Sequence, residues 1–197
     1  MTCTNSYVVR NADFPKFFLT SRFCQFRYKM YKSVPLFGGA ARCDVPSNWI
    51  DASTLRDVPN NQEVFVNESG DTSVIIEILE YQENVADSEA GKFFFNDIAE
   101  ADGAVNSQID SVPRLGEKEF LGTRAVTCWV QGTQVKAKTG PSAIPSAVAV
   151  YMTVIRALSF DADVLITTHA PVGISTIGAV HQDMAESVIF LDPTLFG

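Results

Sequence analysis

At 197 residues, with 46% hydrophobic side chains, the chain is long enough to bury one sizeable core, as one domain or one domain with a tail. No apolar run approaches the roughly 20 residues that a membrane-spanning helix needs. The net charge of −8 is unevenly spread: residues 1–35 carry six basic side chains and one acidic one, leaving nine basic and 22 acidic side chains in residues 36–197. A body so acidic repels nucleic acid, and it either suits a partner with a basic surface or serves solubility alone.

Residues 1–35 are basic and aromatic, with FPKFF and RFCQFRYKMYK. They read as a disordered basic arm, as an Arg-rich, acid-poor transit segment, or as an upstream extension of the reading frame before Met30. The domain is expected to span residues 36–197. Gly38-Gly39 leads into a strand over residues 40–45, and Pro46 and Asn48 mark a turn. Asp51 or Ser53 is positioned to cap a short helical segment over residues 54–57, which Val58-Pro59 ends. After a turn at Asn60-Asn61, residues 62–66 are β-prone, 68–71 form a hairpin-type loop, and 73–81 form a strand. In that strand Val74, Ile76 and Ile78 share one face, and Ile75, Glu77 and Leu79 the other.

Residues 83–90 read as a loop and 92–101 as a helix packed on the sheet. Gly103, Pro113 and Gly116 break the next region into loops around a short strand at 109–112. Residues 121–130 and 134–138 flank Gly132 as a hairpin. The β-branched run 147–158 pairs with 163–169 as a second hairpin, and Ile177, His181, Met184 and Val188 lie at helical spacing in an amphipathic helix over 174–190. Strands joined by tight turns, with helices before and after, predict an α+β fold: a mainly antiparallel sheet flanked by helices.

Chemistry is sparsely signalled. The four cysteines, Cys3, Cys24, Cys43 and Cys128, include no CxxC and have no histidine at ligand spacing, which points away from zinc and towards a reducing compartment. His169 and His181 stand beside no nucleophile–base pair and read as structural. Gly38-Gly39 lacks the spacing and lysine of a phosphate loop. No catalytic, metal or cofactor residue is assigned. Glu77 is a charge interrupting an apolar strand, and it reads either as a binding residue or as a guard against aggregation. Glu80, three positions on, is out of phase with it in an ideal strand.

The segments PLFGGA, IDASTLRDVPNNQEVFV, SVIIEILE, FDADVLIT and DPTLFG occur in the order seen in the Ran guanine-nucleotide release factor family. The chain resembles that family over residues 35–197. The resemblance implies a compact α/β/α sandwich similar to the PsbP proteins of photosystem II. It also implies binding to the small GTPase Ran, release of its bound nucleotide, a role in nuclear protein import, and localisation in nucleus and cytoplasm. The family's acidic Ran-facing patch includes two carboxylates in the segment matching SVIIEILE, here Glu77 and Glu80. Asp57 and Glu63, in the acidic, amide-rich segment beside them, complete the candidate partner-binding set. Family members often carry Asp at the position of Glu77 and commonly Asp at that of Asn60. Asp51, Ser53, Arg56 and Gln62 read as residues that pin the short helix and its loops. The implied protein is a monomer that acts by binding, without a cofactor, nucleic acid or membrane. The competing expectation is an organelle-targeted, PsbP-like accessory protein that does not bind Ran, with residues 1–35 as its transit peptide.

Overall fold

A computed structural model describes residues 30–111, 113–136 and 146–197. The expectations for residues 1–29, including Cys3 and Cys24, lie outside the described residues. The strands are β1 (Tyr31–Leu36), β2 (Ala41–Pro46), β3 (Ile50–Asp51), β4 (Gln62–Val66), β5 (Ser73–Glu80), β6 (Ala104–Ile109), β7 (Arg114–Phe120), β8 (Thr123–Lys136), β9 (Ser146–Ala157), β10 (Ala162–Pro171) and β11 (Ile189–Phe190). Among the described residues there are two α-helices, α1 (Asp87–Ala101) and α2 (Ile177–Ser187), and four short 3-10 turns.

An eight-stranded sheet runs β3-β4-β5-β10-β9-β8-β6, with β7 paired to the same side of β8 as β6. Every strand pair described is antiparallel, as the alternating patterns of β5 and β8 predict. One face of the sheet is covered by α1: Phe94 and Phe95 pack on Cys128, Val130, Met152 and Leu165. The other face is covered by α2 together with a three-stranded sheet, β1-β2-β11. There Val74 and Ile76 of β5 meet Leu36, Cys43, Val45, Met184 and Phe190. Fully burying each such side chain contributes roughly 1.5–3 kcal/mol, so the two apolar layers hold the sandwich closed.

Several boundaries differ from expectation for identifiable reasons. Residues 31–35, expected outside the fold, belong to it, because β1 pairs along its whole length with β2 and places Val34 and Leu36 on the core. The short helical turn is residues 52–54, not 54–57; Asp51 caps it by accepting the Ser53 N–H at 2.8 Å. Helix α1 starts at Asp87 rather than Lys92. Its first turn carries Asp87 and Glu89, which suit the positive end of a helix, and buried Arg156 holds Asp87 at 2.9 Å. The region read as loops around Gly103 and Gly116 contains β6 and β7.

Gly132 makes no turn. It lies inside one continuous β8, where an added Cβ would sit 2.3 Å from the Gln108 carbonyl oxygen and 2.5 Å from the Phe95 ring. The missing side chain lets α1 and β6 close on the strand. The hairpin turn falls instead at Leu121-Gly122, both with positive φ, between β7 and β8. Helix α2 ends at Ser187, and Ile189-Phe190, expected as helix, pair with Ala41 and Arg42 as β11. The β9–β10 hairpin stands as expected, with its turn at residues 158–161.

Candidate functional site

The LFGG turn after β1 and the loop before β4 face one another across a surface cleft of about 490 Å³. Phe37 and Gly38 line one wall; Asp51, Ser53, Val58, Pro59 and Asn60 line another; Gln62, Glu63 and Val64 of β4 form the floor. Phe37, Gly38 and Gly39 have φ of 49°, 66° and 99°. Two of these are glycines, which tolerate that region freely; Phe37 does not, and its conformation stores of order 1 kcal/mol. The Phe37 N–H donates to Oε1 of Glu63, and this bond holds the turn over the cleft.

Glu63 is therefore anchored and electrostatically stressed. Partial burial pushes its carboxyl above the usual range, the bond from Phe37 pulls it back, and the neighbouring Asp51 charge pushes it up again. A negatively charged cleft of this kind favours a cationic side chain, whose charge relieves both the burial and the repulsion.

The structure divides the expected contact residues. In the β4–β5 register Gln62 stands opposite Glu77 and Glu63 opposite Ile76, so Glu63 and Glu77 lie on opposite faces of that strand pair. Glu77 accepts from the Gln62 amide at 2.6 Å and from the Asn61 amide at 3.4 Å. Glu80 is exposed at the end of β5, and its odd spacing from Glu77 turns it to the other face. Asp57 is exposed in the loop immediately before Val58. All four carboxylates thus gather around one end of the sheet, where β3 pairs only with Phe65 and Val66 and leaves the start of β4 uncovered by it. Only Glu63 lies in the cleft.

Asp51, read as structural, caps its turn and also lines the cleft beside Glu63. Its second role depends on two loops folding together, which no local spacing announces. Gln62 likewise does more than pin a loop, since its amide orients the Glu77 carboxylate.

Both histidines are largely buried. His181 is buried between the hydroxyls of Thr153 (3.0 Å) and Thr168 (2.9 Å), and burial lowers its pKa to about 3. Burial, with Lys136 nearby, lowers that of His169 to about 4. Cys43 and Cys128 are buried free thiols, and burial pushes Cys43 up to about 11. No cluster of three or more His, Cys, Asp or Glu side chains able to hold a metal occurs among the described residues. No helix described is long and apolar enough to cross a membrane.

These features define a small α+β module that presents an acidic surface cleft beside the open end of its sheet. The family model described as Ran-interacting Mog1 protein matches residues 34–171, and the chain belongs to that family. It is 34% identical over 160 residues to the Ran guanine nucleotide release factor of Danio rerio, covering 79% of this chain and 87% of the relative. It is 39% identical over 145 residues to the nuclear import protein mog1 of Schizosaccharomyces pombe, covering 70% and 76%. The crystal structure of the Saccharomyces cerevisiae Ran-binding protein Mog1p superimposes with a TM-score of 0.67 at 27% identity, covering 85% of this chain and 98% of that one. The solution structure of cyanobacterial PsbP from Synechocystis shares the fold, with a TM-score of 0.53 at 12% identity over 82% of this chain and 93% of that one.

Proposed function

We propose that this protein binds the GTPase Ran through the Glu63 cleft and the carboxylates around it, promotes release of the bound guanine nucleotide, and so supports nuclear protein import. The observation that carries this reading is the convergence of two signature segments: LFGG and the loop–strand VPNNQEV meet at one cleft with an anchored, partly buried carboxylate on its floor. Relatives named for Ran binding and nucleotide release supply the partner.

A release factor need not make or break a bond. It must bind the nucleotide-poor GTPase more tightly than the loaded form, because only differential affinity shifts an equilibrium. The Glu63 carboxylate engages a basic side chain of Ran, and Asp57, Glu77 and Glu80 speed encounter and set orientation from the rim. On this reading the protein acts as a monomer in nucleus and cytoplasm, without nucleic acid, through the domain that follows the basic N-terminal segment. The test is to load Ran with a fluorescent guanine nucleotide, add the protein and excess unlabelled nucleotide, and time the release. A rate equal to that of Ran alone, with no complex on a sizing column, overturns the proposal.

A further inference from the structure

At the end of the sheet opposite the Glu63 cleft, β7 pairs only with β8, and no other described strand covers its outer backbone edge. Six strands separate the two sites in sheet order, counting both β4 and β7, which places them about 24 Å apart at normal strand spacing. Inward from β7, between β8, β9 and helix α2, lies a second groove of about 420 Å³ with Trp129, Thr127 and Ile155 on its floor.

The groove face of β7 reads Arg114, Gly116, Lys118, as its register opposite Trp129, Thr127 and Ala125 requires. The Arg114 guanidinium stacks over the Trp129 ring at 4.8 Å and pairs with no carboxylate among the described residues. Lys118 donates to the final carbonyls of α2, Ala185 at 2.9 Å and Glu186 at 3.1 Å, which fixes its charge at the groove rim. Between these two cations Gly116 has no side chain, leaving an opening from the sheet edge onto the Trp129 floor; a Cβ there would meet the Thr127 hydroxyl at 2.9 Å. On the reverse face of the same strand Leu115 is 53% exposed.

We propose that β7 is a docking edge for an extended segment of a partner protein, added as an antiparallel strand, with an acidic–x–aromatic–x–acidic pattern on its groove face. Main-chain hydrogen bonds to the open edge supply affinity, and alternate side chains supply specificity. The two acidic side chains stand opposite Lys118 and Arg114 as cross-strand ion pairs. The aromatic side chain stands opposite Gly116 and enters the groove. An intervening apolar residue covers Leu115. The charges on β7 oppose pairing between identical copies of this edge while leaving it open to a complementary strand. The site is independent of the Ran-binding reading.

The test uses the full chain and a peptide with blocked ends, Glu-Thr-Phe-Val-Glu, beside a control in which both glutamates are lysines. Binding is followed by tryptophan fluorescence and by amide hydrogen exchange. The acidic peptide is expected to give a saturable fluorescence change and to slow exchange on β7. Arg114→Glu is expected to weaken the acidic peptide about fivefold and to improve the lysine peptide, a swap that mere loss of structure does not produce. Gly116→Val is expected to abolish the aromatic contribution while leaving Ran nucleotide release unchanged. Absence of a saturable change at millimolar peptide, equal binding of the two peptides, or an Arg114→Glu variant that treats them as wild type does would each overturn the proposal.

Discussion

The carboxylate of Glu63 accepts the backbone N–H of Phe37, joining the floor of the cleft to a turn held at positive φ. Because burial and Asp51 raise the folded pKa of Glu63 above its unfolded value, ionising it opposes folding. Its contribution to stability is fully present below the unfolded value, near 4.5, and falls as pH rises through the folded value. Glu63→Gln keeps an acceptor for Phe37 and removes the charge. The variant is expected to melt at or above the wild-type temperature at pH 7, yet bind Ran at least about tenfold more weakly, as expected when a hydrogen-bonded charge contact is lost. Glu63→Ala also loses the bond to Phe37 and is expected to cost about 1 kcal/mol of stability. Thermal melting and titration calorimetry on both variants separate the two roles; wild-type affinity in Glu63→Gln removes Glu63 from the interface.

Glu77 and Glu80 respond differently because only Glu77 is oriented. Glu77→Lys loses the 2.6 Å bond from Gln62 and places a cation beside the loop, whereas Glu80→Lys reverses a charge at an exposed strand end. Both variants are expected to fold, with native circular dichroism, and to slow association with Ran, Glu77→Lys more strongly. The slowing should shrink as salt is raised, since rim charges act through screened, long-range attraction. Stopped-flow association at 50 and 300 mM salt checks this. Unchanged association for Glu77→Lys at low salt would assign that carboxylate a structural role alone.

Much of this architecture was legible in the chain because its cues are local. The β-branched alternation of residues 73–80 and the turn at Asn60-Asn61 predict strands that the structure contains. The features that escaped depend on distant contacts. Gly132 looks like a turn residue until Phe95 and the Gln108 carbonyl are seen pressed against it. Strand β7, with four of its seven residues charged, has no apolar rhythm and exists through its pairing with β8. Residues 31–35 read as part of a basic arm, yet β2 recruits them into β1. The sequence places Glu63 with Glu77, Glu80 and Asp57 in one acidic neighbourhood without showing which of them lines the cleft. Only the fold shows the LFGG turn reaching Glu63.

His181 makes the core sensitive to acid. Both ring nitrogens face threonine hydroxyls, no carboxylate faces the ring in those contacts, and burial brings the folded pKa to about 3 against 6.5. Between those values the unfolded chain binds a proton that the native state does not, so stability is lost as pH falls below 6.5, by about 1.4 kcal/mol per pH unit. His169, with a folded pKa of about 4, acts in the same direction, while the raised carboxyls of Glu63 and Asp163 act oppositely at their own pKa values. His181→Gln removes one such proton, so its plot of urea-derived stability against pH from 6 to 4.5 is expected to be flatter than wild type by about 1.4 kcal/mol per unit. Parallel plots would show that His181 takes up its proton in the folded state.

Arg156 ties the start of α1 to the sheet. Its Nε donates to Asp163 at 3.1 Å, Nη1 to the Val85 carbonyl and to Asp87 at 2.9 Å, and Nη2 to the Gln82 carbonyl at 2.7 Å, with the Tyr81 ring stacked 4.3 Å from the guanidinium. Both Arg156 and Asp163 are buried, so removing the cation leaves an uncompensated carboxylate that burial already pushes towards protonation. Arg156→Met is expected to cost about 3–5 kcal/mol and to loosen residues 81–87 and the first turn of α1. The double variant Arg156→Met/Asp163→Asn removes both charges and should regain part of that loss. Urea unfolding of the two single variants and the double measures the coupling; strictly additive losses would mean that the buried pair contributes no interaction of its own.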